Sequence, residues 1–292
     1  MELFVLKTLL LILAASKSLA FEKESFSLLI PDTIQKSPEA YVCSAYHLNK
    51  SEKKFIVAFE PQASMDQVHH MLLYGCSQPG TYNQTWDCGS TMATKHHGHH
   101  GHESSLPSGG VCADESNRQI LYAWARNAEA LELPDGVAFE IGKGTEIKHL
   151  VLQIHYAHAP PVKGKFVSGY HVRRDHNDED QWTWTRIGKR DPSEPQMFYT
   201  VENNVIVRKG DVLAARCTMV NEREFTTRVG PTSDDEMCNF YIMYWSEKGL
   251  LSRSGCGSPG APTFYWDKID SEYPEYPDLQ LNNLPPHTET DE

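Results

Sequence analysis

The sequence predicts an all-β protein of the sandwich type, and three observations support this fold class. Aromatic and β-branched residues are plentiful, whereas stretches with the 3.6-residue period of helices are scarce. Glycine and proline, 19 and 17 in number, punctuate the chain at short intervals. Short strands divided by frequent turn residues are typical of β-sandwiches. We therefore expect antiparallel sheets packed face to face.

Several segments have the composition of strands, namely residues 54–60, 71–74, 120–126, 149–156, 205–207, 212–217 and 236–245. Segment 149–156 is the most informative, because successive side chains of a strand point to opposite faces. One face carries only apolar residues, which are Leu150, Leu152 and Ile154. The other face carries Val151, Gln153 and His155. The first face suits a core, and the second can present Gln153 and His155 to a site.

The first 20 residues have the pattern of a secretory signal peptide, with a charged start, an apolar run and small residues before Phe21. An N-terminal anchor is the alternative, but the run is shorter than the roughly 20 residues of a membrane span. No later stretch is apolar enough to span. We expect a secreted protein or one in the secretory-granule lumen. Residues 271–292, rich in Pro, Asp and Glu, are predicted to be a disordered acidic tail.

Composition and motifs exclude several classes of function. The net charge of −12 argues against binding to nucleic acid or to anionic membrane surfaces. No Gly-x-Ser-x-Gly, Walker or His-Glu-x-x-His motif occurs. No motif therefore supports hydrolytic or phosphoryl-transfer chemistry in this sequence.

Seven cysteines indicate disulfides in a secreted chain. Four precede residue 113 and three follow residue 216, so we expect two separately cross-linked halves. The odd number leaves one thiol unpaired or bonded to another chain. Sequons begin at Asn49 and Asn83, which suits exposed loops of a secreted glycoprotein.

His69 and His70 are the first candidate metal ligands, because two adjacent imidazoles concentrate binding capacity at one point. On an ideal strand the two side chains would point to opposite faces, so sharing one ion requires a strand end or a departure from regular pleating. Two buried structural histidines are the alternative. His155 is the natural third ligand, and three imidazoles without a thiolate suit copper or zinc.

Met237 is a further candidate, because a thioether selects soft copper, particularly Cu(I). It shares a predicted strand face with Asn239 and Tyr241. A core methionine is the alternative. Residues 96–102 hold five histidines interleaved with glycine. We interpret this segment as a solvated loop that scavenges metal weakly rather than as a catalytic site.

Several long runs resemble the copper type II ascorbate-dependent monooxygenase family, and within it the peptidylglycine α-hydroxylating enzymes. Besides the His69-His70 pair, the matching runs are residues 120–128, 151–156, 167–170, 211–217 and 235–244. The resemblance covers most of residues 25–260. It implies two jelly-roll β-sandwiches, an N-terminal one over 21–156 and a C-terminal one over 157–270. Each would carry one copper ion, with ascorbate as reductant, O2 as oxidant and a glycine-extended peptide as substrate.

The resemblance also implies roles for individual residues. His69, His70 and His155 correspond to the ligands of the first copper, and Met237 corresponds to the thioether of the second. Asn239 and Tyr241 correspond to residues that hold the substrate carboxylate, and Gln153 to a residue beside the first site. The implied disulfides are Cys43–Cys88, Cys76–Cys112 and Cys217–Cys238, with Cys256 unpaired. We expect a monomer.

The chain departs from the family pattern after His155. The family has a strand with Arg-x-His-x-His-His-x-Gly-Lys before the Ser-Gly-Tyr run, whereas this chain reaches Lys165 directly. The second sandwich therefore lacks its first strands, and the second copper lacks two histidines unless His158 or His171 replaces them. We expect an impaired monooxygenase, with an inactive copper-binding isoform as the alternative. A third hypothesis is a secreted domain with a purely structural role.

Overall fold

The computed structural model describes residues 23–31, 39–89, 108–114, 118–157, 164–174, 182–219, 223–225, 227–228, 230, 235–247 and 255. Within these ranges the chain is all-β, and every pairing between strands is antiparallel. The predicted fold class is therefore confirmed at the level of antiparallel β-sheets. The described ranges contain no helix long and apolar enough to cross a bilayer.

The strands of these ranges are β1 (Ala40–His47), β2 (Lys53–Ile56), β3 (Ala58–Phe59), β4 (His70–Cys76), β5 (Trp86–Asp87), β6 (Gln119–Ala125), β7 (Leu131–Glu132), β8 (Phe139–Gly142), β9 (His149–Tyr156), β10 (Gly164–Arg174), β11 (Trp182–Arg190) and β12 (Val212–Met219). The largest sheet has five strands in the order β5-β1-β9-β4-β6. Two small sheets pair β2 with β8 and β3 with β7, and a three-stranded sheet has the order β11-β10-β12.

The main core lies on one face of the five-stranded sheet. Leu150 and Ile154 of β9 pack there with Leu121 of β6, Phe59 of β3 and Ile141 of β8. The two small sheets thus cover this face, as in a sandwich. Val151 packs on the opposite face, so the alternation predicted for residues 149–156 is confirmed.

The opposite face of the five-stranded sheet is closed by disulfides, and we call it the disulfide face. It carries Cys43, Leu72, Tyr74, Cys76 and Val151. Disulfides join Cys43 to Cys88 and Cys76 to Cys112, the same pairs that the family resemblance implies. Trp86 is fully buried beneath these loops and donates its indole N–H to the carbonyl of Gly110 at 2.8 Å.

The three-stranded sheet has a much smaller core. Tyr170, Val172 and Ala214 form its buried apolar cluster, and Trp182 and Trp184 pack against them. A disulfide links Cys217 of β12 to Cys238.

Three predicted strands differ from the structure. Residues 54–60 belong to two strands, because β2 pairs with β8 whereas β3 pairs with β7. Between them, the carbonyl of Val57 accepts a hydrogen bond from the amide of Leu133. Residues 205–207 form no strand, since the carbonyl of Ile206 accepts from the Arg173 guanidinium at 2.7 Å.

The predicted strand over residues 236–245 is also absent, and residues 237–246 have no regular structure. The Cys217–Cys238 bond ties this segment to β12, and the ring of Phe240 lies against Gly169 of β10. The segment therefore crosses the face of the three-stranded sheet instead of joining its edge. Residues 1–20, 96–102 and 271–292, together with His158 and Cys256, lie outside the described residues.

The contact between Phe240 and Gly169 yields a test of this packing. A Cβ atom at Gly169 would lie 2.2 Å from the Phe240 ring, whereas one at its cross-strand partner Gly188 would meet nothing within 4 Å. We expect Gly169→Ala to destabilise the protein by about 1–3 kcal/mol through overpacking. Hydrogen exchange of residues 237–246 should accelerate in this variant and stay unchanged in Gly188→Ala. Equal exchange in both variants would contradict the assigned contact.

Candidate metal centre

Two neighbouring antiparallel strands bring three distant histidines together. His70 is the first residue of β4, and its register partner on β9 is His155. His69 lies just before β4, and its amide donates a hydrogen bond to the carbonyl of His155 at 2.9 Å. Because His69 lies outside the regular strand, its ring is not obliged to point away from that of His70.

The three imidazoles converge on one point through their Nδ1 atoms. Nδ1 of His69 lies 3.2 Å from Nδ1 of His70 and 3.2 Å from Nδ1 of His155. All three candidate ligand atoms lie within 4.8 Å of one another. Nitrogen ligands at about 2.0–2.1 Å from a tetrahedral ion are separated by about 3.3 Å. The separation of His69 from each of the other two ligand atoms therefore fits a single metal ion.

Burial keeps these imidazoles neutral. It lowers the pKa of His70 to about 3 and that of His155 to about 2, and the neighbouring imidazoles add to both shifts. The pKa of His69 is also lowered, first by burial and then by Arg126. A metal ion needs unprotonated nitrogen ligands. The folded protein thus offers three lone pairs without having to release protons first.

Glu39 and Tyr41 orient His155 from its other side. Oε1 of Glu39 lies 3.2 Å from Nε2 of His155, so a proton on Nε2 leaves Nδ1 free to face the cluster. The ring of Tyr41 stacks on the imidazole with centroids 3.9 Å apart and planes 7° from parallel. Sequence reasoning missed both residues. Neither carries a local signal, because only the pairing of β1 with β9 brings them to His155.

Gln153 lies on the same face of β9 as His155 and is fully buried. Its Nε2 donates to the carbonyl of Gly89 at 3.0 Å, and its Oε1 accepts from the hydroxyl of Tyr74 at 3.4 Å. Gln153 therefore anchors the loop after the Cys43–Cys88 disulfide beneath the histidine cluster.

Met237, Asn239 and Tyr241 lie in the irregular segment 235–247. Met237 and Asn239 are partly buried, and Tyr241 is 40% exposed. Within the described ranges, no second group of three histidine, cysteine or acidic side chains converges as the first does.

His171 is engaged in an ion-pair network rather than in a metal cluster. Its Nε2 lies 2.9 Å from Oδ2 of Asp211, and both carboxylate oxygens of Asp211 also accept from Arg173 at 2.9 and 2.6 Å. The hydrogen bond from Arg173 holds the pKa of Asp211 far below its usual value, and the one from His171 adds to this effect. Nε2 of His171 is thus occupied by its hydrogen bond with the buried carboxylate of Asp211.

The neutral histidine cluster makes the stability of the metal-free protein depend on pH. An unfolded histidine takes up a proton near pH 6.5, whereas His70 and His155 in the folded state stay neutral to much lower pH. The unfolded state binds more protons below pH 6.5, so the free energy of unfolding falls as the pH is lowered. We expect a loss of up to about 2 kcal/mol per shifted histidine between pH 7 and pH 5.

Urea unfolding at both pH values measures this loss, with His155→Gln as the comparison. The glutamine cannot titrate, so the variant should lose less stability on acidification than the wild type. The same pH dependence in both proteins would contradict the neutral state of His155.

The chain is similar to proteins of one family over most of its length. The model of the copper type II ascorbate-dependent monooxygenase N-terminal domain matches residues 26–163, and that of the C-terminal domain matches residues 143–269. The chain is 34% identical over 304 residues to the peptidylglycine alpha-amidating monooxygenase of Rattus norvegicus, and 33% identical to that of Mus musculus. Xenopus laevis peptidyl-glycine alpha-amidating monooxygenase A is 29% identical to it.

These alignments take in 81% of this chain and 28 to 30% of each relative, so the chain spans less than a third of the length of these curated relatives. At 304 residues they are longer than the chain itself, and they therefore contain positions at which the chain has no counterpart. Consecutive matches to both domain models show that the chain belongs to the copper type II ascorbate-dependent monooxygenase family.

Proposed function

We propose that this chain is a copper- and ascorbate-dependent monooxygenase that hydroxylates the α-carbon of the C-terminal glycine of peptides, with low turnover. The observation that carries this proposal is the convergence of three Nδ1 atoms from His69, His70 and His155. Relatives named peptidylglycine alpha-amidating monooxygenase support the substrate class.

In this proposal His69, His70 and His155 hold the first copper ion. Copper supplies one-electron redox chemistry when bound, and ascorbate is the source of electrons. The protein contributes neutral imidazoles at a spacing of 3.2 Å and a carboxylate, Glu39, that fixes the orientation of His155. Gln153 supports the cluster from beneath through its bond to Gly89.

Met237, Asn239 and Tyr241 are proposed to form the substrate side of the second site. A thioether suits copper, and an amide and a phenol can donate hydrogen bonds to a peptide carboxylate. The disulfide at Cys238 and the Phe240 contact fix the segment that carries these residues. Their partial exposure is compatible with access by a peptide.

We propose that a block with two further copper ligands is missing between His155 and Lys165. Alignments longer than the chain support this interpretation, as does the small core of the three-stranded sheet. His171 is a poor substitute, because its Nε2 is bound to Asp211. Low turnover follows, since a single thioether holds copper weakly without its histidine partners.

A second candidate function is a protein that binds one copper ion and performs no oxygenation. It is favoured by the finding that the described residues contain a single cluster of three metal-ligand side chains. Product formation separates the two functions: ascorbate-dependent hydroxylation that is lost in His155→Ala supports the monooxygenase, and copper binding without any product supports the alternative.

The proposed setting is the secretory pathway. Three disulfides need an oxidising compartment, and Asn49 and Asn83 of the sequons lie on the exposed side of loops. We propose a monomer with the copper-binding units at 21–156 and 157–270.

Turnover on a glycine-extended peptide tests the proposed function. With copper, ascorbate and O2 supplied, we expect weak formation of the α-hydroxyglycine product, measured by mass spectrometry, and none from His155→Ala. Inserting a strand with the His-x-His pattern between His155 and Lys165 should raise turnover about a hundredfold, or about 3 kcal/mol of barrier.

Two results would contradict parts of this proposal. Robust turnover by the unaltered chain would rule out the missing-ligand interpretation. No product from the repaired chain, although it binds one copper ion more than the unaltered chain, would rule out the peptidylglycine substrate.

The role of Glu39 can be tested by copper affinity. Glu39→Ala removes the acceptor for the Nε2 proton of His155, so we expect copper to bind about tenfold more weakly in a competition titration with a chelator. Glu39→Gln keeps an oxygen acceptor, so its copper affinity should fall less than that of Glu39→Ala. The control is Glu140→Ala, which removes a carboxylate paired with Lys53 on the surface. Unchanged affinity in Glu39→Ala would disprove the positioning role.

A further inference from the structure

A second pair of imidazoles lies at the opposite end of the β1–β9 pair. His47 of β1 and His149 of β9 are register partners, just as Tyr41 and His155 are at the other end. Nδ1 of His47 lies 2.9 Å from Nε2 of His149. His149 and His155 lie on the same face of β9, and six residues of strand separate them by about 20 Å. The two histidine groups are therefore separate.

Hydrogen bonding fixes the tautomer of His149. Its Nδ1 lies 3.1 Å from the carbonyl oxygen of Ser77, which can only accept, so the ring proton is on Nδ1. Nε2 is then unprotonated and accepts a hydrogen bond from Nδ1 of His47. A ligating histidine in a metal site has this same arrangement, with one nitrogen bound to a carbonyl and the other directed at the ion.

The distance between the two nitrogens matches a particular coordination geometry. Two ligands at about 2.0–2.1 Å from an ion and at a right angle to each other lie about 2.9 Å apart. Adjacent positions of a square-planar or tetragonal complex have this angle, which Cu(II) and Ni(II) prefer. An ion can thus replace the single proton between His47 and His149 without any change in their separation.

An open cavity of about 420 Å³ in front of the pair gives access to it. His47 is exposed, and Lys50, Tyr82, Asn83 and Gln84 also line the cavity. Water can therefore complete the coordination. The Lys50 cation and the lack of a carboxylate among the described lining residues oppose a divalent ion, so binding is weaker than at a three-histidine site.

We propose that His47 and His149 form an additional metal site that binds one tetragonal divalent transition-metal ion, Cu(II) in particular, through two imidazoles and water. The site is independent of the three-histidine cluster and of the proposed monooxygenase activity. Copper bound there would lie at the opposite end of the β1–β9 pair from His155.

Cu(II) titration of the full chain, followed by electron paramagnetic resonance and calorimetry, tests this site. His47→Gln removes a ligand, but its amide can still donate to Nε2 of His149, so the fold should be retained. We expect this variant to bind one tetragonal Cu(II) ion fewer than the wild type. The histidines at 96–102 are the same in both proteins, so any copper that they bind does not contribute to the difference in stoichiometry.

Two further variants separate this site from the others. His155→Ala should keep the ion that depends on His47, even if it loses copper at the three-histidine cluster and all turnover. Lys50→Gln should also keep it and bind it several-fold more tightly, because a repelling charge is removed. Equal Cu(II) stoichiometry in wild type and His47→Gln, or loss of this ion in Lys50→Gln, would overturn the proposal.

Discussion

The antiparallel register between β4 and β9 is the constraint on which the candidate site depends. It places His70 directly across from His155, and the hydrogen bond from the amide of His69 to the carbonyl of His155 continues the same ladder by one residue. A slip of one residue would turn every side chain of β9 to the other face. That slip would place Gln153 and His155 in the main apolar core and move Leu150 and Ile154 to the disulfide face, so core and site enforce the same register.

The disulfide face supports this register from the side away from the core. The Cys43–Cys88 and Cys76–Cys112 bonds hold loops over the sheet, and Gln153 is hydrogen-bonded to Gly89 within one of them. Burial removes water from the imidazoles and disfavours their protonation. Glu39 then selects which nitrogen of His155 faces the cluster. The same structure therefore sets the position, the charge and the orientation of the metal-binding groups.

The second half of the chain is held together by fewer contacts. Its sheet has three strands, and its core contains three buried apolar residues. The ion pair of Asp211 with Arg173 and its hydrogen bond with His171 connect the sheet to the loop before β12, which partly replaces apolar packing. Such pairs contribute modest net stability, because desolvation of the charges offsets much of their attraction. A second site built on this sheet has less rigid support than the first.

The sequence by itself determined the all-β class, the alternation of residues 149–156, the family and the types of metal-binding side chain, because these follow from local periodicity and motif identity. Only the tertiary structure decided which atoms meet. Glu39, Tyr41 and the His47–His149 pair carry no local signal, since their partners are set by pairing between strands more than 100 residues apart. The same reason explains why residues 236–245, although composed like a strand, form none: a strand requires a neighbouring edge, and the Cys217–Cys238 bond and Phe240 hold this segment against a sheet face instead.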